Sequence, residues 1–490
     1  MHFSKFLAIA ALATGVKAFY PWQIKVELTD VTSTVEALER RFLPWMVKPD
    51  NPEEDTHAKP FTLGIRKFPV RRDDTSNIVK ANTPTLPHSA AVDQDGHDYS
   101  YFAAVEVGSQ KEQMWLALDT GSPSSWVFGS TCTSSVCTSH HVFDTSKSTS
   151  YVSNSSAITV GYGSGTIKGN LGQDTMSIAG LNVTFSFGDA TSASEAFANY
   201  PIDGILGFGR SGTAGWTIPS FMDVVAKDGH LPANIVGFSL SRATDDPKTG
   251  EINFGTVDTT KFDGKISYTA TNSDIWTIPL DDVYVNGTAC GLTGKSATID
   301  TGTTYILIPP NDAATLFAQI PGSIKSDSNY IIPCNSTANI ELSFSGIKYS
   351  ISPDDYIGAT STNGCVSTIV GYQSTGSNDW LVGDVFLKNV YSVFDFDNGK
   401  IGFGTRNSTS APGNGTFTIP ASTSTSTSTA TSISTSTATT LSSITATDTA
   451  ALASGTESGS THSTISPNAG SHMSFTLIPS FMAVIAAIFA

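Results

Sequence analysis

The sequence predicts an all-β protein built as two similar lobes with a cleft between them. Three observations predict it. From Tyr99 to about Thr405 the chain is a succession of short alternating or apolar runs, broken by Gly, Asn, Asp and Ser. Helical patterns are few, the clearest being Ile218 to Lys227 and Asn311 to Gln319, the second preceded by two prolines. A short module also occurs twice. Asp119-Thr120-Gly121-Ser122 follows the run Met114 to Leu118, and Asp300-Thr301-Gly302-Thr303 follows Ala297-Thr298-Ile299.

The surroundings of the module repeat as well. An apolar-apolar-Gly triplet comes 86 residues after Asp119, at Ile205-Leu206-Gly207, and another 81 residues after Asp300, at Leu381-Val382-Gly383. The chain therefore reads as a duplicated half, each copy offering one carboxylate on a tight turn between apolar strands. A carboxylate in such a setting is costly unless it is hydrogen-bonded or holds a proton. Two of them brought together cannot both ionise cheaply, so the pair keeps one proton over a broad acidic range. The ionised member can draw a proton from a water held between them while the other donates to a carbonyl oxygen, which is sufficient to attack an amide. The glycines permit the tight turns, and the hydroxyls and backbone N–H groups are expected to fix the carboxylates.

Length and charge set the outer limits. The 490 residues allow two or three domains. A net charge of −16 excludes a generic basic nucleic-acid surface. Among five cysteines, Cys132 and Cys137 can close a loop of six residues and Cys334 and Cys365 one of 32. These would be worth about 2 and about 4 kcal/mol by chain entropy. Cys290 is left over, as a free thiol or a partner in an intermolecular bond.

Residues 1–18 read as a secretory signal: Lys5, then the apolar run Phe6 to Ala13, then small residues at the end of Val16-Lys17-Ala18. Residues 19–72 read as a propeptide. They are rich in basic residues and proline, show no strong strand pattern, allow a short helix at Thr34 to Phe42, and end at the dibasic pair Arg71-Arg72. A basic segment of this kind can lie over an acidic cleft. The lobes are expected at 73–265 and 266–405. Residues 406–468 are a Ser/Thr-rich stalk with too little apolar content to pack. Residues 469–490 end in an apolar run interrupted by Pro479, short for a spanning helix, and fit a removable signal for a GPI lipid. Asn468 is the candidate attachment residue, with Gly459 and Ser463 as alternatives. Asn-X-Ser/Thr sequons stand at Asn154, Asn182, Asn286, Asn335, Asn407 and Asn414.

The segments Tyr101-Phe102, Leu118 to Ser122, Trp126, Gly161-Tyr162-Gly163-Ser164-Gly165, Ile202 to Gly207, Ile299 to Thr303 and Trp380 to Phe386 together resemble the pepsin-like aspartic peptidases, across roughly residues 99–405. The resemblance implies a bilobal fold with Asp119 and Asp300 as the catalytic dyad, supported by Ser122 and Thr303, and no cofactor. It implies that the hairpin at Tyr162, Gly163 and Ser164 is a flap closing over a polypeptide substrate, its tyrosine steadied by Trp126. It pairs Cys132 with Cys137 and Cys334 with Cys365, while the family's third disulfide has no cysteines here. Lys59 to Lys67 resembles the start of the family's inhibitory propeptides.

By the same resemblance, Ala117, Tyr162, Phe197 and Ile205 line the pocket for the residue before the scissile bond, and a hydrophobic side chain is expected there. Ser164 stands where some fungal relatives that accept lysine carry an aspartate. The Cys132–Cys137 loop lacks the acidic insertion of yeast relatives that cut at basic residues. Signal, stalk and tail resemble those of fungal GPI-anchored peptidases, placing a monomer at the plasma membrane or cell wall. Two other readings compete. A binding protein that retains the fold without turnover is opposed by the intact aspartates, turn glycines and flap tyrosine. A metal enzyme is opposed by the absence of metal-ligand spacing, His140-His141 being the only adjacent histidines.

Overall fold

A computed structural model describes residues 23–29, 77–211, 216–271 and 273–407. The expected signal, the helix at 34–42, the segment 59–67, Asn414, the stalk, Asn468 and the lipid-signal tail lie outside the described residues.

The duplication expected from the sequence is present in the strand pairing. In the first half, the strand Glu112–Asp119 runs parallel to Gly204–Gly207, with Asp119 opposite Gly207. Gly204–Gly207 in turn lies antiparallel to Trp126–Phe128, which is parallel to Leu181–Ala193. In the second half, Lys295–Ile299 runs parallel to Asp379–Val382, and Asp379–Val382 lies antiparallel to Ile306–Ile308, which is parallel to Ile369–Gly371. Each half therefore threads an aspartate turn beside a second strand that ends at a glycine (Gly207) or just before one (Gly383). The strands that lead into the aspartate turns and their partners become fully buried toward those turns, where both faces are covered.

The first unit belongs to a nine-stranded sheet and the second to a five-stranded sheet. A six-stranded sheet joins them, placing Ile235–Ser239 of the first half beside Val390–Asp395 of the second. Its outer strand Phe262–Ala270 contains the 265/266 junction expected to divide the lobes, so that junction falls inside an element of the shared sheet. The last strand runs to Arg406. The apolar core is continuous from Val105, Leu116 and Phe208 to Ile299, Leu381 and Phe386, and Trp276 Nε1 of the second half donates to the carbonyl of Phe208 in the first (2.9 Å).

Buried charges also tie the halves together. Arg242 donates to both carboxylate oxygens of Asp355, from Nε at 2.9 Å and Nη2 at 2.5 Å. Lys388 lies 3.0 Å from Asp355 and 3.5 Å from Asp98, and Arg406 pairs with Asp245. Every member of the Arg242–Asp355–Lys388 cluster is buried.

Two expectations about elements change. The expected helix beginning at Ile218 begins instead at Phe221 and runs to Asp228, because Ser220 caps it: its hydroxyl accepts from the Asp223 N–H while the Asp223 carboxylate accepts from the Ser220 N–H. Gln23–Thr29, expected to carry no strong strand pattern, forms a strand. The second helix is Pro310–Phe317.

Candidate active site

The two aspartate turns meet where the two halves of the chain join. Asp119 and Asp300 are both 0% exposed. Each carboxylate is held from its own turn in the same way. Asp119 Oδ1 accepts from the backbone N–H of Gly121 (2.8 Å) and of Ser122 (3.2 Å), and Oδ2 from the Ser122 hydroxyl (2.6 Å). Asp300 Oδ1 accepts from Gly302 N–H (2.8 Å) and Oδ2 from the Thr303 hydroxyl (2.5 Å). The carboxylates are adjacent: a Cβ added to Gly121 would fall 2.6 Å from the Asp300 carboxylate, so only glycine fits there.

Thr120 and Thr301 do something the sequence did not disclose. Their hydroxyls were expected to fix the carboxylates; they fix the two turns to each other instead. Thr120 Oγ1 donates to the carbonyl of Ile299 (2.9 Å) and Thr301 Oγ1 to that of Leu118 (2.7 Å), while each backbone N–H donates to the opposite hydroxyl. The partner triplets hold the turns from behind. Phe208 N–H donates to the Asp119 carbonyl (2.6 Å), and Asp300 N–H to the carbonyl of Val382 (3.0 Å).

Burial pushes the Asp119 carboxyl well above its ordinary value, and the neighbouring Asp300 charge pushes it further. Burial also raises Asp300, opposed by the donors Thr303 and Gly302. The pair thus retains a proton under conditions where isolated carboxyls would have lost theirs. A third carboxyl, Asp384, is buried beside them and is itself raised well above its ordinary value, mainly by burial. It lies in the segment Trp380 to Phe386, where nothing in the sequence marks it out.

The hairpin formed by Val152–Tyr162 and Gly165–Ile178 turns at Gly163 and Ser164, with Tyr162 opposite Gly165. The Tyr162 hydroxyl accepts from Trp126 Nε1 (2.9 Å) and lies 3.3 Å from the Ser124 hydroxyl. Ser124 was missed, since nothing in a Ser-Pro-Ser-Ser stretch marks which serine faces the flap. Ala117, Trp126, Tyr162, Phe197 and Ile205 pack in one apolar cluster on this side of the dyad. The Phe197 ring meets Trp126 and Tyr162 edge-on, at 5.4 and 6.4 Å between centroids. These side chains and both aspartates are buried together.

Both expected disulfides, Cys132–Cys137 and Cys334–Cys365, are formed. Cys290 is unbonded and half-buried, accepts from Gln319 Nε2 (3.1 Å), and has its thiol pushed up to about 11 by burial. Asn154, Asn182, Asn286 and Asn335 are exposed. Asn407 is half-buried, its Nδ2 donating to Thr260. The adjacent histidines are engaged separately: His140 stacks on Phe128, and His141 Nε2 pairs with Glu112.

Comparison with known proteins agrees with this geometry. The eukaryotic aspartyl protease family profile matches residues 100–406. The chain is 48% identical over 409 residues to the aspartic-type endopeptidase ctsD of Aspergillus fumigatus, covering 82% of this chain and 86% of that protein. It is 31% identical to the major aspartyl peptidase 1 of Cryptococcus neoformans (70% and 76% covered) and 30% identical to cathepsin D of Dictyostelium discoideum (69% and 90%).

Proposed function

Because this chain belongs to the eukaryotic aspartyl protease family, we propose that it is an endopeptidase in which Asp119 and Asp300 activate a water against the scissile carbonyl. One observation carries the reading. Two buried carboxylates from turns 181 residues apart are adjacent, and each is braced by a backbone N–H and a hydroxyl of its own turn. One carboxylate takes a proton from the water as it attacks; the other, protonated, donates to the carbonyl oxygen. The amide nitrogen receives a proton as the tetrahedral intermediate collapses.

The surrounding chemistry sets preference and timing. The apolar cluster of Ala117, Phe197 and Ile205 beneath Tyr162 favours a hydrophobic residue before the scissile bond. Tyr162 and both aspartates are buried, so the hairpin carrying Tyr162 lifts to admit a chain. We also propose that residues 1–18 direct secretion and that residues 19–72 are cut away after Arg72. The stalk then presents a monomeric enzyme at the cell surface on a GPI lipid attached at Asn468. The exposed sequons and the half-exposed Asn407 are the proposed glycosylation sites, with Asn414.

The test is cleavage of a protein substrate by the secreted form at pH 3 to 7, with and without pepstatin. Acid-dependent, pepstatin-blocked cleavage after hydrophobic residues is expected. Inactivity of the processed form at every pH would favour a binding role; cleavage mainly after Lys or Arg would overturn the preference. Release from cells by phosphatidylinositol-specific phospholipase C tests the lipid.

A further inference from the structure

Gln23–Thr29 lies on the outer edge of the hairpin that carries Tyr162. It pairs antiparallel with Val152–Tyr162, from Gln23 opposite Tyr162 to Thr29 opposite Ala157, with a break in register between Gln23 and Lys25. It is the terminal strand of the nine-stranded sheet, so without it Val152–Tyr162 would be the edge. Its sequence, Gln-Ile-Lys-Val-Glu-Leu-Thr, alternates polar and apolar residues with the period of a strand.

We propose that the outer edge of Val152–Tyr162 is a strand-addition site for an extended polypeptide segment of alternating apolar and polar residues, filled in this chain by its own residues 23–29. An edge strand presents a row of backbone N–H and C=O groups that lack partners, and an extended chain satisfies them with little demand on side-chain identity. The ladder covers Ala157 to Tyr162, the part of the strand nearest the hairpin turn. An added strand there stiffens the hairpin, which must move for a substrate to enter. Removal of residues up to Arg72 would bare the edge and free the hairpin. Only this last consequence rests on the endopeptidase reading; the site itself does not.

Hydrogen exchange read by mass spectrometry on the full chain tests the site without reference to activity, and an Asp300→Asn background prevents self-cleavage. Three versions of residues 23–29 are compared: the natural segment, the Val26→Pro/Glu27→Pro double variant, and a Gly/Ser replacement of the whole segment. Neighbouring residues of a strand turn their N–H groups to opposite sides, so the double proline removes whichever one faces the ladder. With the natural segment, the amides of 157–162 should exchange slowly. In both altered chains about half of them should exchange at least about tenfold faster, with unchanged exchange in Glu112–Asp119 reporting an intact fold. A fourth chain carrying a different alternating sequence at 23–29 should retain the slow exchange. Slow exchange at 157–162 in the Gly/Ser chain, or fast exchange with the natural segment, would overturn the proposal. So would fast exchange in the fourth chain, which would show a requirement for this sequence alone.

Discussion

Thr120 and Thr301 are bonded to each other across the two halves of the molecule, the backbone N–H of each donating to the hydroxyl of the other at 3.1 and 3.0 Å. Each hydroxyl in turn donates a hydrogen bond to a carbonyl of the opposite half. This closed set of four bonds fixes the separation of the carboxylates on either side of it. Thr301→Val keeps the shape and removes the hydroxyl, leaving the Thr120 N–H and the Leu118 carbonyl buried without partners. The expected cost is about 2–5 kcal/mol of stability. Because the two reacting carboxyls would lose their registration, kcat should also fall about 10- to 100-fold. Thr301→Ser should retain most of both. Thermal unfolding and steady-state kinetics on the pair of variants check this; a Thr301→Val enzyme with full kcat would show that the registration is held elsewhere.

The dyad itself predicts a stability signature opposite to that of an ordinary carboxylate. Asp119 is raised in the folded state by burial and by Asp300, so the folded chain binds its proton more tightly than the unfolded chain does. Its stabilising effect is full below the unfolded value and is lost as pH rises through the folded one. Asp119→Asn should abolish cleavage, by at least about a thousandfold, and should lose less stability than the wild type on going from about pH 4 to pH 7. Unfolding midpoints at the two pH values provide the check, and an equal loss in both proteins would argue against the strained pair.

The braces around the dyad shift the pH profile. The Ser122 hydroxyl donates to Asp119 Oδ2 and favours its ionised form. Ser122→Ala removes that donor, so the carboxyl rises further and the acid limb of kcat/KM should move to higher pH. Thr303→Val should act in the same direction through Asp300. A pH–rate series from pH 2 to 7 would reveal either shift; movement of the limb toward lower pH would contradict the assigned donors.

How much of this was legible in the sequence depends on the range of the signal. The aspartate turns and their partner glycines are local patterns, and the parallel pairing of Asp119 with Gly207 follows from a spacing that recurs. The hairpin tyrosine was legible for the same reason. The Ser220 cap was readable too, since a Ser three residues before an Asp marks a helix start, but the apolar residue at Ile218 drew the expected boundary too early. Gln23–Thr29 alternates plainly; the basic, proline-rich composition around it obscured that. The bonds between Thr120 and Thr301 join positions 181 residues apart and have no sequence signature. The same holds for Arg242 with Asp355, 113 residues apart.

Tyr162 gives a prediction about flap position. Its buried hydroxyl accepts from Trp126 Nε1 and contacts Ser124. Tyr162→Phe keeps the ring against Phe197 and loses both polar contacts, leaving the indole N–H buried without its acceptor. About 1–3 kcal/mol of preference for the closed position should go with it, reducing kcat/KM by about tenfold or more. Trp126→Phe should reproduce the loss, and the double variant should be less than additive because the two residues share one bond. Additive losses would mean that the bond is not what positions the flap.

The Arg242–Asp355–Lys388 cluster should set the acid limit of the folded state. Burial alone would raise the Asp355 carboxyl, but Lys388 and Arg242 outweigh it and hold the group at about 2. A carboxyl depressed in this way contributes stability that is present above its ordinary value of 3.8 and is lost as pH falls through about 2. The sign is opposite to that of Asp119, so the two together favour the folded chain in the acidic range where a shared-proton dyad operates. Asp355→Asn leaves Arg242 and Lys388 buried with only the more distant Asp245 and Asp98 to offset them, at a cost of about 3–5 kcal/mol near pH 6. Near pH 2 the wild-type carboxyl begins to take up its own proton, so the gap between wild type and variant should narrow. Denaturant unfolding of both proteins at pH 6, 4 and 2 measures the gap directly. A gap that stays constant across that range would mean that Asp355 acts through packing and neutral hydrogen bonds, such as the one from Asn389, rather than through its charge.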